Sequence, residues 1–243
     1  MVAGEAQAAE VQTFSGEYVV SYMGLTVARS TFSSRIEGTS FKVDGTIESA
    51  GFGRFFDDTT GKVTASGGFK GNRTEPTAFR VDYQQKEKST VTTIDFTGGA
   101  VTATETIPAP KPRGSDWIPI DLSDLSRVSD PISATLIRAD GPRSVCGRTV
   151  RVFDGEIRLD VALFPVGIGT ADIPGQGETV TCRATIKPVS GYRKGRKALE
   201  YLQKKARIMV AFAELGKTGI YAPVFATVGT EIGTVSIKAR SPQ

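Results

Sequence analysis

The chain has 243 residues, 39% of them hydrophobic, with 27 glycines, a formal net charge of +4, a pI near 9.1 and not one histidine. That size and apolar fraction suffice for a packed core, and the mild positive charge suits anionic surfaces while falling short of a nucleic-acid footprint. The missing histidines remove Ser-His-Asp and Cys-His catalysis and the usual zinc ligand sets, and no apolar run approaches the ~20 residues of a membrane helix.

Residues 1–13 read as a disordered tail or signal-peptide remnant. Ala6-Gln7-Ala8 has the small-x-small form of a signal-peptidase site, but no charged or apolar region precedes it. Met1 is read as a start just inside a removed export signal, with an ordinary Ala-rich tail as the alternative. From residue 14 to 243 the pattern is that of one β domain. Glu17–Tyr22, Leu25–Ile36 and Ser40–Glu48 alternate polar and apolar residues between glycine turns, as long antiparallel strands wet on one face do. Phe52, Phe55 and Phe56 cannot all face one side of a strand, so a short helical turn or aromatic loop is expected there. It serves either as a plug under the sheet edge or as a lip for an apolar ligand. Strands resume over Lys62–Ser66, Thr77–Gln84, Thr90–Phe96 and Val101–Glu105.

Pro108, Pro110 and Pro112 make a stiff connector, read as a crossover within one domain. Trp117 to Leu125 looks irregular and partly helical. Asp130-Pro131 has the form of a helix start, which predicts a helix over Pro131–Arg138 with Ile132 and Leu136 toward the sheet. Asp154-Gly155 is a hairpin signal between two alternating runs. It places Val150, Val152, Ile157, Leu159 and Val161 on one face and Arg151, Arg158 and Asp160 on the other. Residues 165–177 read as a Gly- and Pro-rich loop, and Glu178–Lys187 as a strand. Gly195–Ala206 has helical spacing, and strands over Val224–Val228 and Ile232–Lys238 close the chain.

Cys146 and Cys182 are the only cysteines. They fit a disulfide in an exported protein; the alternative is two inert buried thiols. A plain strand meander would hold them ~10 Å apart, beyond disulfide reach. A bridge therefore requires that Cys146 lie on a segment folding back over the sheet, or that the strand order be less simple.

The opening Tyr18-Val19-Val20-Ser21-Tyr22-Met23-Gly24 with Ala28, Asp130-Pro131-x-Ser133-Ala134, Val152-Phe153-Asp154-Gly155 and Ala222-Pro223-Val224 together resemble a widespread family of proteobacterial envelope proteins classed as a domain of unknown function. Cys146, Cys182 and Lys187-Pro188-Val189-Ser190-Gly191-Tyr192 look like its α-proteobacterial branch. The resemblance covers nearly the whole chain and rests on turns, caps and packing positions, none of them catalytic. It implies a mainly β fold: a large, strongly curved antiparallel sheet, a half-barrel or spiral, with one or two helices in or across its concave face. Lipoprotein carriers and envelope-integrity proteins are similar in that respect. It also implies a soluble, periplasmic, non-enzymatic role. The helical insertion Gly195–Ala206 departs from the pattern.

No cofactor, metal or catalytic residue is indicated, and no nucleic-acid partner. Two functional readings follow. In the first, the concave face binds a lipid or a lipoprotein acyl chain, with Phe52, Phe55, Phe56 and Trp117 at its mouth. In the second, the concavity is filled by the chain's own side chains. The basic patch Arg193, Lys194, Arg196, Lys197, Lys204 and Lys205 then docks to an anionic envelope component.

Overall fold

The computed structural model describes residues 10–51, 53–56, 58–170 and 177–240. Its strands, in chain order, are β1 (Val11–Tyr22), β2 (Leu25–Glu37), β3 (Ser40–Ser49), β4 (Thr59–Lys70), β5 (Arg73–Gln85), β6 (Lys88–Thr97), β7 (Ala100–Ile107), β8 (Trp117–Ile118), β9 (Ile137–Arg138), β10 (Arg148–Phe153), β11 (Arg158–Thr170), β12 (Glu178–Ser190), β13 (Tyr192–Arg193), β14 (Ile208–Glu214), β15 (Ile220–Thr230) and β16 (Gly233–Arg240). Two helices are short, α1 (Gly53–Phe56) and α2 (Lys197–Lys204). β1 begins at Val11, inside the expected tail.

Fourteen strands form one antiparallel sheet in the order β10-β11-β12-β14-β15-β16-β1-β2-β3-β4-β5-β6-β7, with β9 added against β15; β8 and β13 make a separate ribbon. Alternation sets the faces. Val43, Ala65, Phe79 and Ile94 stand opposite one another across β3–β6 and are all buried. The next residues along, Asp44, Thr64, Arg80 and Thr93, form the polar outer row. At Gly45 the inner row has no room for a side chain: a Cβ would lie 2.5 Å from the Phe32 ring, which lies across the glycine instead.

The sheet curves without closing, and the crossover from β7 to β10 lies between its two edges. Ser126 bridges to Ala100 at the start of β7, and Ser129 bridges to Val152 of β10. Val128 N donates to Gly99 O at 3.1 Å and Ser129 N to Arg151 O at 2.8 Å. The same segment supplies the core. Val128, with Ile120, Leu125 and Ile132, packs on Ala65, Phe79, Ile94, Phe96 and Phe153. Leu136 joins Ile36, Phe41, Val43 and Phe69. Ile137, Ala139, Val145 and Cys146 join Leu163, Val180, Cys182 and Phe212. Only a segment inside the curve can touch strands from both ends of the sheet path.

Two elements depart from the sequence reading, and one face is buried where no local pattern signals it; the position of the crossover explains the first departure and the burial. The helix expected over Pro131–Arg138 is a 3-10 turn at Ser133–Thr135 followed by β9. Leu136 and Ile137 must enter different clusters, so consecutive side chains point apart, as in a strand. The hairpin face with Arg151, Arg158 and Asp160 is not wet, because residues 123–124 lie over it. Arg158 is 1% exposed. Its Nε donates to Asp124 O at 3.0 Å, and its Nη2 meets Asp160 Oδ1 at 2.7 Å. The loop expected from 165 continues instead as β11 to Thr170, paired with β12 across a bulge between Pro165 and Gly167.

Cys146 and Cys182 are bonded, with Cα atoms 5.8 Å apart. β10, β11 and β12 do form a plain meander. The bridge is possible because Cys146 precedes β10, at the end of a 3-10 turn (Pro142–Ser144) that folds over the inner face of β12.

Asp130 does cap its turn. Oδ1 accepts from Ile132 N at 2.9 Å and Ser133 N at 2.8 Å. The residue is fully buried, and burial pushes its carboxyl above the ordinary value. The Ser133 hydroxyl and the backbone donors oppose this less strongly. Oδ2 and Ser133 Oγ nevertheless lack partners of hydrogen-bonding geometry among the described residues. A folded pKa above the unfolded one means stability that is full below the ordinary carboxylate range and lost as pH rises through the raised value. Asp130→Asn keeps the Oδ1 acceptor and is expected to remove that slope. Urea midpoints from about pH 4 to about pH 8 check this, and wild type and variant falling in parallel would refute it.

Candidate functional site

Chain direction sorts the connections to the two ends of the sheet. The β1–β2 turn, the β3–β4 connection with α1, the start of the crossover, the β10–β11 turn, the α2 segment and the β15–β16 turn all fall at one end. Trp117, the α1 segment and the basic patch therefore share that end, though not one site.

α1 continues β3. Ala50 N donates to Val27 O at 3.0 Å, Arg54 Nε donates to Ser49 O at 3.0 Å, and a Cβ on Gly53 would strike Val27 O at 2.0 Å. This backbone lies against β2. Phe52 and the side chains of Phe55 and Phe56 fall outside the described residues. Trp117 belongs to the other side of the end. It pairs with Arg193 in the β8–β13 ribbon. The Arg113 guanidinium lies 4.1 Å from its ring centroid and also meets Glu156 at 2.8 Å. Trp117 is thus stacked and half-buried.

The basic patch is built by the link from β12 to β14. From Tyr192 through Arg207 the chain carries seven Lys or Arg and one Glu. α2 buries Leu199, packs along β12 and turns its charged side chains outward; Ala206 then packs on the core beside Phe212. Arg193 Nε meets Asp116 Oδ2 at 3.2 Å. Lys194, Arg196, Lys197, Lys204 and Lys205 are exposed and form no ion pair with any described residue. Six of the candidate residues, with Trp117, are therefore brought together.

Two further features carry weight. One is the buried polar knot under the hairpin, where Ser190 Oγ donates to Asp124 Oδ2 at 2.7 Å and Arg151 reaches Asp124 O at 3.3 Å. Burial, and then the neighbouring Arg158 charge, hold Arg151 below the ordinary arginine value. The other is a set of apolar turn tips, Met23, Leu25 and Ile232, exposed by 67, 52 and 78%. The signal for the tips was in the sequence: Met23-Gly24 and Ile232-Gly233 put an apolar residue where a turn usually has a polar one. Nothing in the sequence signalled the knot, because it depends on the crossover lying over the hairpin.

Surface depressions lie elsewhere. One of about 580 Å³ lies on the polar outer face of β1–β4, between the rows holding Glu17, Thr31, Thr46 and Lys62 and Ser33, Asp44 and Thr64. Another of about 350 Å³ adjoins the disulfide, lined by Pro142, Pro165, Val166 and Ile168. Among the described residues no group of three or more Cys, Asp or Glu is placed to hold a metal ion, and no helix is long and apolar enough to cross a membrane.

None of the curated proteins matches the chain. Among solved structures it is similar to a beta-barrel-like protein of the domain of unknown function DUF1849 from Brucella abortus, at 10% identity over 96% of this chain and 97% of that one, with a TM-score of 0.47. It is also similar to the hypothetical protein CT021 from Chlamydia trachomatis, at 10% identity over 93% and 85% of the two chains, with a TM-score of 0.32. The sequence profile of DUF3108, described as a protein of unknown function, matches residues 17–240, and the chain belongs to that family.

Proposed function

We propose that this is a non-enzymatic interaction protein of the proteobacterial envelope, exported to the periplasm, whose curved sheet is a scaffold and whose basic segment 192–207 contacts an anionic envelope component. The observation that carries this reading is the filled interior. Ile120, Leu125, Val128, Ile132, Leu136, Ile137 and Val145 of the crossover occupy the space an acyl chain would take. A carrier needs a cavity that empties and fills, whereas packed side chains fix one arrangement. Native mass spectrometry of protein taken from its own periplasm, before and after delipidation, is expected to show one unchanged mass, with no fluorescent fatty acid displaced. A saturable, stoichiometric lipid would overturn the reading.

The acyl-binding reading keeps one specific support. Ile47 and Tyr83 lie on the inner rows of β3 and β5 and are exposed by 40 and 39%. A lipid that binds there would be lost on Ile47→Ser with Tyr83→Ser.

A further inference from the structure

We infer that the end of the sheet carrying α2 is a docking face for an anionic lipid bilayer, with the tips Met23, Leu25 and Ile232 entering the interface and the 192–207 segment binding headgroups. This rests on the interaction-protein reading above and names its partner. Apolar and basic elements form one continuous rim. Arg207, at the end of the basic segment, accepts through its carbonyl from Gly229 N at 2.9 Å. Gly229 leads into the β15–β16 turn with Ile232 at its tip. That turn meets the β1–β2 turn: Met23 N donates to Thr234 O at 3.0 Å, and Tyr22 Oη donates to Ile232 O. Leu25 then leads to Thr26 and Val27, against which Gly51 and Gly53 at the start of α1 lie.

The chemistry of the rim selects the partner. Large apolar side chains at the tips of two adjacent hairpins cost solvation in water unless a partner covers them. They sit at neighbouring tips, the shape that enters a headgroup layer without moving the strands behind it. The segment 192–207 carries a net +6 from its seven Lys or Arg and one Glu, against +4 for the whole chain. The positive charge of the protein is thus concentrated beside the apolar tips. Glu231 is the one acid on the two tips and lies beside Ile232. A protein partner would be expected to offer fixed acidic side chains to a folded ridge. A fluid anionic surface needs no such match, and each basic residue near it strengthens binding by roughly fivefold.

The test uses the intact protein and flotation with vesicles of phosphatidylglycerol in phosphatidylethanolamine, compared with phosphatidylcholine alone. Binding to the anionic vesicles only is expected, falling at least tenfold between low and high salt. Lys194→Glu, Lys197→Glu, Lys204→Glu and Lys205→Glu together are expected to reduce it by more than a hundredfold. Met23→Asn, Leu25→Ser and Ile232→Ser together are expected to reduce it about tenfold or more while leaving thermal stability in place. Val166→Ser with Ile168→Ser, on β11 toward the opposite end, is expected to change nothing. Absence of wild-type binding to anionic vesicles overturns the proposal. So does a charge-variant loss with no loss from the tip variant, which would be plain electrostatic adsorption. Neither result bears on whether the interior holds lipid, which the mass measurement decides separately.

Discussion

Arg158→Ala is expected to lower the stability of the fold by about 3–5 kcal/mol, or roughly 10 °C in Tm for a chain of this size. Two kinds of contact, of very different worth, end on this guanidinium. Its ion pair with Asp160 is short, but Asp160 is 28% exposed in its side chain, so solvent screens the pair and it contributes about 1 kcal/mol or less. The bonds to the carbonyls of Asp124 and Leu159 are buried with the 1%-exposed arginine. Removing the donor takes this partner from the buried Leu159 carbonyl and leaves Asp124 O only the longer 3.3 Å bond from Arg151, which costs more than the pair itself. Asp160→Asn is therefore expected to cost about 1 kcal/mol, several times less than Arg158→Ala. Arg158→Lys should be nearly as damaging as Ala, because one ammonium cannot reach three acceptors in the guanidinium's fixed fork. Hydrogen exchange should rise first at residues 121–129, which this side chain ties to β11. Equal losses from Asp160→Asn and Arg158→Ala in urea unfolding would mean that the ion pair, not the carbonyl tie, holds the crossover down.

The case of Arg158 also shows where the amino-acid sequence stops being informative. Strands were legible because period-two alternation and glycine turns are local, and most of β2–β7, β12, β15 and β16 lie where that pattern puts them. The antiparallel pairing followed from the same pattern, whereas the curvature of the sheet was what the family resemblance implied. The second face of the β10–β11 hairpin carries the charges of Arg151, Arg158 and Asp160, and no local pattern signals that it is covered. It is covered because a segment some thirty residues earlier in the chain lies over it and offers carbonyls to the guanidiniums. Asp130-Pro131 is a true cap signal, yet a cap says only where a helix can begin. Leu136 and Ile137 must enter separate clusters, and that tertiary demand ends the turn after Thr135. Among the candidate site residues, the basic patch was legible as a charge run, and its exposure follows from α2 having a single buried residue, Leu199. Trp117 was visible only as an aromatic. Its pairing with Arg193 and its stacking under Arg113 depend on a two-residue ribbon between segments about 75 positions apart, a spacing no local pattern encodes.

Replacing both cysteines, Cys146→Ala with Cys182→Ala, is expected to cost about 3–4 kcal/mol, because the bridge closes a separation of 36 residues in the unfolded chain. The folded state should change little. The strands inside that loop are already held by the β10–β11 and β11–β12 ladders, and Cys182 is fully buried among Leu163, Val180 and Phe212. The effect therefore acts on the denatured ensemble, and it should appear as a lower urea midpoint with a larger m-value, as a freed chain exposes more surface on unfolding. Serine at the two positions should cost about 1–3 kcal/mol more for each hydroxyl left without a partner, since Cys182 has no access to water. Reductant supplies the control: it should bring wild type down to the level of the alanine pair and leave that pair unmoved. A reduced wild type within about 1 kcal/mol of the oxidised one would mean that the packing around Phe212 and Val145, not the bridge, keeps the end of the crossover in place. The loop entropy would then be no reason for this fold to favour an oxidising compartment.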